Sequence, residues 1–204
     1  LEEDMNNSKI SALVTTLKPH PVSCLNAPSD APDAIVVGAG VTGITVASML
    51  AAEGYEVLVL ERGDRLGGVW DRYANKSSLL NSSGPSYLTD PSLQHQGMDT
   101  EMHPSREAIL GDARKMAETY LCGRIRYGAT VQSIETQDAA EHHSMHSVHF
   151  LTEDDDQTLT TRLVFVCVNR RLGTPRVLKL AGEDSFDGTI TTSTSSDMNN
   201  TVQS

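Results

Sequence analysis

The sequence predicts an α/β fold, in which a parallel sheet with helices on both faces carries a small antiparallel β flap. Three patterns predict it. An apolar run at residues 34–37 leads through a glycine-rich turn into a helical pattern. A second apolar run, at residues 55–60, is almost uninterrupted, as in strands that are buried on both faces. Short strand-like runs separated by polar segments then fill the second half of the chain.

Length and composition predict one folded domain between two polar segments. A chain of 204 residues is long enough for one ordinary core. Residues 1–32 are polar, contain four prolines and lack periodicity, so we expect an extended leader there. Residues 33–188 are expected to fold. Residues 189–204 are mostly Thr, Ser, Asn, Asp and Gln, and we expect them to form a polar tail.

Charge and cysteine content exclude several classes of protein. The net charge of -11 would repel a phosphate backbone, so no nucleic-acid partner is expected. Cys24, Cys122 and Cys167 are odd in number and widely spaced, which predicts free thiols in a reducing compartment, the cytoplasm or an organelle interior such as that of a chloroplast. No apolar run is long enough to predict a transmembrane segment. Because the chain starts at Leu1, we expect a processed or trimmed N-terminus.

The first three elements follow in order along the chain. Residues 34–37 predict a strand, and the helical pattern after the glycine-rich turn continues through Ala52 until Gly54 ends it. Residues 55–60 predict a second strand, and Glu61 follows it directly. The sequence therefore predicts a strand, helix and strand of the parallel type.

A second long helix is predicted after a loop-rich stretch at residues 63–102, with Ser105 as its N-cap. Its predicted buried face consists of Ile109, Ala113, Met116, Ala117 and Tyr120. Strands are then predicted at residues 125–134, 147–152 and 160–168, with residues 153–158 as a hairpin turn. The residues around that turn include His142, His143, His146, His149 and Asp154 to Asp156. They lack a converging spacing, so we expect a solvated turn and no metal site.

Gly38, Gly40 and Gly43 form a G-x-G-x-x-G motif between the predicted strand and helix, and Glu61 follows eighteen residues after Gly43. Gly38 would allow the tight turn, Gly40 the approach of a pyrophosphate to the backbone, and Gly43 close helix packing. This context predicts a Rossmann-like site for a dinucleotide.

The helix start and the acid have separate expected roles. The backbone N–H groups at the helix N-terminus, around Val41 and Thr42, are expected to hold the pyrophosphate. Glu61 is expected to accept hydrogen bonds from the ribose hydroxyls, and its negative charge disfavours a 2′-phosphate. The motif alone leaves FAD and NAD as alternatives.

The segment after Glu61, R-G-D-R-L-G-G-V-W, resembles flavin-containing and Baeyer–Villiger monooxygenases, in which a G-G-x-W run follows the ribose-binding acid. The resemblance extends less specifically to about residue 193, through H-P-S-R-E-A-I-L and R-I-R-Y-G-A-T-V-Q-S-I-E. It implies FAD as the cofactor, with Arg62, Gly68 and Trp70 added to the binding residues. It also implies that Val131 contacts the adenine through its backbone.

The resemblance further implies an asparagine close to the reactive part of the flavin. Asn81, in L-L-N-S-S, is the candidate catalytic residue, and Asn75 is a weaker one. A loop asparagine that stabilises its own turn is the alternative interpretation of Asn81.

The sequence departs from the family pattern in three ways. Asn169 stands where a glycine turn is expected, and Thr192 replaces the fingerprint histidine. The 204 residues contain one G-x-G-x-x-G motif, so the resemblance covers the N-terminal FAD-binding half and is truncated before the NADPH domain.

Two functions follow as hypotheses. The first is an FAD-binding module of a flavin monooxygenase type that is redox-active with a partner chain. The second is a non-catalytic accessory subunit of a larger, energy-converting and membrane-associated assembly, such as a photosynthetic or respiratory complex. If the polar leader and tail are ordered, we expect other protein subunits to hold them. Whether the chain is an enzyme stays open between the two hypotheses.

Overall fold

The computed structural model describes residues 31–72, 74, 103–137, 144–153, 155–168 and 180–188. In chain order the elements are β1 (Ala34–Val37), α1 (Val41–Ala52), β2 (Val57–Leu60), α2 (Val69–Arg72), α3 (Arg106–Tyr120), β3 (Ile125–Arg126), β4 (Thr130–Gln137), β5 (Met145–Leu151), β6 (Asp156–Thr161), β7 (Leu163–Val166) and one 3-10 turn (Glu183–Ser185). The predicted leader and tail lie outside the described residues, apart from the end of the leader.

A parallel sheet with the strand order β3-β2-β1-β7 lies at the centre of the fold. β1 pairs with β2 on one side and with β7 on the other, so that Val36 lies between Val59 and Phe165. Every residue of β1 and β2 is buried. Their unbroken apolar runs therefore reflect burial on both faces, as the sequence predicted.

The first face of the parallel sheet packs against α1 and α3. Because side chains alternate along a strand, Val36 and Val59 point to this face. They share a core with Ile44 and Ala47 of α1 and Met116 of α3. The predicted buried face of α3 is confirmed, and the Ser105 hydroxyl accepts a hydrogen bond from the Ala108 N–H at 3.2 Å, as expected for an N-cap.

The second face is covered by an antiparallel sheet with the order β4-β5-β6. Val148 and Phe150 of β5 are fully buried in a core with Ile35 and Leu58 of the parallel sheet. The predicted fold class is confirmed. Its arrangement differs in one respect, because among the described residues both long helices lie on the first face and the antiparallel sheet takes the place of helices on the second.

Two predicted strands are each divided between the two sheets. The run at residues 125–134 turns at residues 127–128, where the Gly128 N–H donates to the Gly63 carbonyl at 3.0 Å, so β3 and β4 join different sheets. The run at residues 160–168 divides at Arg162, which pairs with Asp33 at 2.6 Å. The apolar pattern of the sequence does not reveal that a run passes from one sheet to the other, because both halves of the run have the pattern of a strand.

Two expected element boundaries need correction. The second strand begins at Val57 and not at residue 55. The hairpin turn is shorter than residues 153–158, because the Thr152 N–H donates to the Asp155 carbonyl at 2.8 Å and β6 begins at Asp156. The first residues of β6 are polar because they include solvent-facing positions of a strand, and the sequence pattern assigned them to the turn.

The cysteines differ from the expectation of three free thiols. Cys167 is free, Cys122 is disulfide-bonded, and Cys24 lies outside the described residues. The expectation is therefore wrong at Cys122, and the cysteines give no support for a reducing compartment. No helix in the described part of the chain is long and apolar enough to cross a membrane.

We predict opposite sensitivities at two neighbouring residues of β5. Phe150 is fully buried between the sheets, whereas Leu151 is 40% exposed on the other face. Phe150→Ala should lower the free energy of unfolding by about 3–5 kcal/mol because it leaves a cavity. Leu151→Ala should lower it by about 1 kcal/mol at most. Urea unfolding of both variants measures the difference, and equal losses would contradict the placement of the antiparallel sheet.

Candidate functional site

A groove of about 990 Å³ opens where the parallel strands β1, β2 and β7 end. Its walls are the glycine-rich turn, the start of α1, residues 60–62, residues 67–72, residues 129–131 and residues 166–168. Open parallel sheets bind ligands at the carboxyl ends of their strands, at the point where the strand order reverses. In the order β3-β2-β1-β7 this point lies at β1, because β2 and β3 follow it on one side and β7 lies on the other.

The glycine-rich turn requires the absence of side chains at two positions. Gly38 has a φ of +100°, and a Cβ there would lie 2.7 Å from the Val168 side chain. A Cβ at Gly43 would overlap the Gly38 carbonyl oxygen. These two glycines bring the start of α1 into direct contact with the end of β1.

The N-terminus of α1 faces the groove without a capping side chain. Gly40 is its N-cap, no side chain among the described residues bonds the first turn, and the first turn contains no acidic residue. α3, in contrast, has the Ser105 hydroxyl and Glu107 at its N-terminus. The first N–H groups of a helix need acceptors and carry a positive partial charge. The start of α1, where Val41 and Thr42 line the groove, can therefore hold an anion such as a phosphate.

The carboxylate of Glu61 is held against both loops of the groove. One oxygen, Oε2, accepts a hydrogen bond from the Ala39 N–H at 2.7 Å, and Oε1 accepts one from the Gly63 N–H at 2.6 Å. A carboxylate can accept further hydrogen bonds after these two. Glu61 thus connects the glycine-rich turn with the loop after β2 and keeps capacity for ligand hydroxyls.

A second pair of glycines lies directly against the first motif. The Gly67 N–H donates to the Ala39 carbonyl at 2.9 Å, and Gly67 forms a parallel bridge with Gly40. A Cβ at Gly68 would lie 3.0 Å from the Gly40 Cα. Residues 67–72 therefore form one wall of the groove, and this wall includes the half-buried Trp70.

The structure places the predicted site residues as follows. Gly43 lies behind the groove wall, where it packs on Gly38. The other predicted cofactor-binding residues line the groove, namely Gly38, Gly40, Val41, Thr42, Glu61, Arg62, Gly68, Trp70 and Val131. Asn81, Asn75, Asn169 and Thr192 lie outside the described residues.

Several groove residues were missed by the sequence analysis. Val166, Cys167 and Val168 line the groove at the end of β7, and burial raises the pKa of the Cys167 thiol. Their position could have been inferred from parallel strands that end at one edge. Arg72 also lines the groove, and its position carried no sequence signal.

The histidines of β5 have partners other than a metal. His149 contacts Asp156 through Nε2, and the His146 Nδ1 lies 3.0 Å from the Thr136 hydroxyl. The residues that the structure describes contain no group of three or more metal-ligating side chains.

Comparisons with known proteins agree with the sequence resemblance. Residues 36–99 match the family model described as an NAD(P)-binding Rossmann-like domain. The chain is 26% identical over 195 residues to the FAD-binding monooxygenase ausB of Emericella nidulans, covering 87% of this chain and 25% of that protein. It is 27% identical over 165 residues to 2-oxo-Delta(3)-4,5,5-trimethylcyclopentenylacetyl-CoA monooxygenase of Pseudomonas putida, covering 79% of this chain and 29% of that protein. The chain spans between 25% and 42% of the length of the first curated relatives that it matches.

Solved structures of monooxygenases share the fold. A mutant of cyclohexanone monooxygenase from Rhodococcus sp. Phi1, bound to NADP+, matches with a TM-score of 0.55 and 21% identity over 78% of this chain and 30% of that chain. OTEMO in complex with FAD and NADP matches with a TM-score of 0.53 and 24% identity over 80% of this chain and 30% of that chain. The resemblance of this chain to flavin monooxygenases is thereby confirmed.

We predict opposite effects of adding one methyl group to two helical glycines. Gly43→Ala should lower the free energy of unfolding by at least about 2 kcal/mol, because the new Cβ overlaps the Gly38 carbonyl. Gly111→Ala, in the open part of α3, should raise it by about 0.5–1 kcal/mol. Thermal and urea unfolding measure both. A neutral Gly43→Ala would contradict the contact between α1 and the turn.

Proposed function

We propose that the groove binds FAD and that the chain is the FAD-binding module of an oxidoreductase of the flavin monooxygenase type. The observation that carries the proposal is the uncapped N-terminus of α1, which faces a groove between the glycine-rich turn and the Glu61 carboxylate. An anion-binding helix end next to an acceptor for ribose hydroxyls fits the two halves of an adenosine diphosphate group.

The proposal assigns each part of the adenosine diphosphate to residues of the groove. Val41 and Thr42 would donate to the pyrophosphate through their backbone N–H groups. Glu61 would accept hydrogen bonds from the ribose, and its charge disfavours a 2′-phosphate there. Val131, at the start of β4, lines the groove and would contact the adenine.

The choice of FAD over NAD rests on the second glycine pair and on the relatives. Gly67 and Gly68 lie against the glycine-rich turn, which extends the groove wall as far as Trp70. The similarity to FAD-binding monooxygenases runs through this segment. When bound, FAD would supply the redox chemistry. The residues of this chain would bind and orient it, and the apolar side chains of Val166 and Val168 would exclude water from one side of the groove.

A complete oxygen-transfer reaction requires a reductant besides FAD. The single G-x-G-x-x-G motif of these 204 residues is assigned to FAD, so we propose that a nicotinamide cofactor binds elsewhere, on another part of the protein or on a partner chain. Asn81 stays our candidate for a residue near the reactive part of the flavin.

We predict that the purified chain is yellow, or becomes so on titration with FAD, and that quenching of flavin fluorescence reports saturable binding. Glu61→Gln should weaken FAD binding by about tenfold, because it removes a charged hydrogen-bond acceptor. Glu118→Gln, on the exposed side of α3, is the matched control and should bind like the wild type. A chain that takes up no FAD, or that prefers NADP+, would refute the proposal.

We also predict that FAD protects the Cys167 thiol from alkylation, because Cys167 lines the groove. Its pKa is raised by burial, so the reactive thiolate becomes abundant only at a pH above the usual range for cysteine. Alkylation should therefore be followed at alkaline pH, with peptide mapping to report Cys167 separately.

In the urea-unfolded chain FAD should have no effect on the rate of Cys167 alkylation, which serves as the control. If FAD binds by titration but leaves alkylation of the folded chain unchanged, the ligand occupies a site other than this groove.

A further inference from the structure

We propose that Arg106 is a positioning residue that holds residues 67–72, and with them Trp70, in the wall of the groove. The inference rests on the proposed function for the identity of the ligand, although the contacts that carry it belong to the protein alone. Arg106 does not line the groove. It lies at the start of α3, behind the wall, and acts through the backbone of α2.

The guanidinium of Arg106 donates to two successive carbonyl groups. Its Nε donates to the Trp70 carbonyl at 2.8 Å, and its Nη2 donates to the Asp71 carbonyl at 3.0 Å. These carbonyls belong to the last turn of α2, where the helix itself supplies no N–H partners. The planar fork of arginine matches two neighbouring acceptors, which a single ammonium group does not.

The side chain of Asp71 strengthens the same contact. Its carboxylate lies between Arg65 Nε at 2.6 Å and Arg106 Nη2 at 3.8 Å, and only 9% of it is exposed. The side chain of Arg65 is 64% exposed, whereas that of Arg106 is 22% exposed. Exposed ion pairs contribute little, so Arg106 makes the stronger of the two connections to α2.

α3 supports the wall at a second position one turn later. Leu110 lies on the same side of the helix as Arg106, four residues further along. A Cβ at Gly67 would lie 2.5 Å from the Leu110 Cδ2, so that Leu110 fills the space behind this glycine. The Gly67 N–H in turn donates to the Ala39 carbonyl in the glycine-rich turn. The wall is therefore fixed to the turn at Gly67 and to α3 at Trp70 and Asp71.

α3 itself does not depend on the Arg106 fork. Its N-terminus is capped by Ser105, and its buried face, which includes Ile109 and Met116, packs into the first core. Removal of the fork should therefore leave α3 in place and release the end of α2. A change in the environment of Trp70 without loss of the fold would show that Arg106 positions the wall and does not merely stabilise the whole domain.

The experiment uses three variants of the 204-residue chain. Arg106→Met removes the hydrogen bonds but keeps an unbranched side chain, and Arg106→Lys keeps the charge without the fork. Arg114→Met is the matched control, because Arg114 is exposed on the same helix and its side chain has no hydrogen bond or ion pair with the described residues. Trp70 is the single tryptophan of the chain, so its fluorescence reports this wall alone.

Two measurements are expected to change together. Without ligand, Arg106→Met should shift the Trp70 emission to longer wavelength and increase its quenching by acrylamide, while the far-ultraviolet circular dichroism stays that of the wild type. The dissociation constant for FAD should rise about tenfold or more, because two hydrogen bonds from a charged group are lost. Arg106→Lys should lie between Arg106→Met and the wild type, and Arg114→Met should equal the wild type.

Unchanged Trp70 emission and quenching in folded Arg106→Met would overturn the proposal. If Arg106→Met does not fold, Arg106→Lys provides the test. Wild-type Trp70 emission and wild-type FAD affinity in Arg106→Lys would then overturn the proposal. If the wild-type chain takes up no FAD, the proposed function fails. The ligand-free emission of Trp70 still decides whether Arg106 positions the wall.

Discussion

The structure of the groove depends on one close contact, in which α1 begins directly on the turn that ends β1. The space between Gly43 and the Gly38 carbonyl admits no side chain at Gly43. This contact sets the distance between α1 and the parallel sheet, so that Ile44 and Ala47 reach the core on the first face. It also directs the uncapped N-terminus of α1 toward the ends of the strands. One steric constraint thus produces both the packing of the domain and its anion-binding position.

The polar backbone groups of the turn are satisfied by residues that are distant in sequence. The Ala39 N–H donates to Glu61 and the Ala39 carbonyl accepts from Gly67, so a single residue connects the glycine-rich turn with both ends of the loop between β2 and α2. Buried backbone groups without partners are costly, and these bonds therefore fix the loops relative to one another. Because the loops form the groove, its shape is determined before any ligand enters. The far end of the wall at residues 67–72 is fixed by Arg106 of α3 and not by the glycine-rich turn.

The sequence predicts those parts of the fold that local pattern determines. β1, α1 and α3 are found where periodicity, Gly54 and Ser105 place them, and the spacing from Gly43 to Glu61 identifies the groove. The changes of sheet near Gly128 and at Arg162 were missed because they depend on contacts with Gly63 and Asp33. The positioning role of Arg106 could not be predicted for the same reason, because its acceptor at Trp70 lies 36 residues away in the sequence. Such pairings are decided by tertiary packing and not by propensity.

The chain as a whole is acidic, whereas the groove contains positive groups beside the Glu61 carboxylate, and this difference bears on the kind of anion that the groove can bind. The chain carries a net charge of -11, which disfavours long anionic polymers. At the groove, however, the N-terminus of α1 is joined by Arg62 and Arg72, whose side chains have no hydrogen bond or ion pair with the described residues. Charge effects are screened beyond about 8–10 Å in physiological salt, so the groove responds to these nearby groups. A compact pyrophosphate would interact with these nearby groups alone. A long anionic polymer would also be repelled by the acidic surface outside the groove.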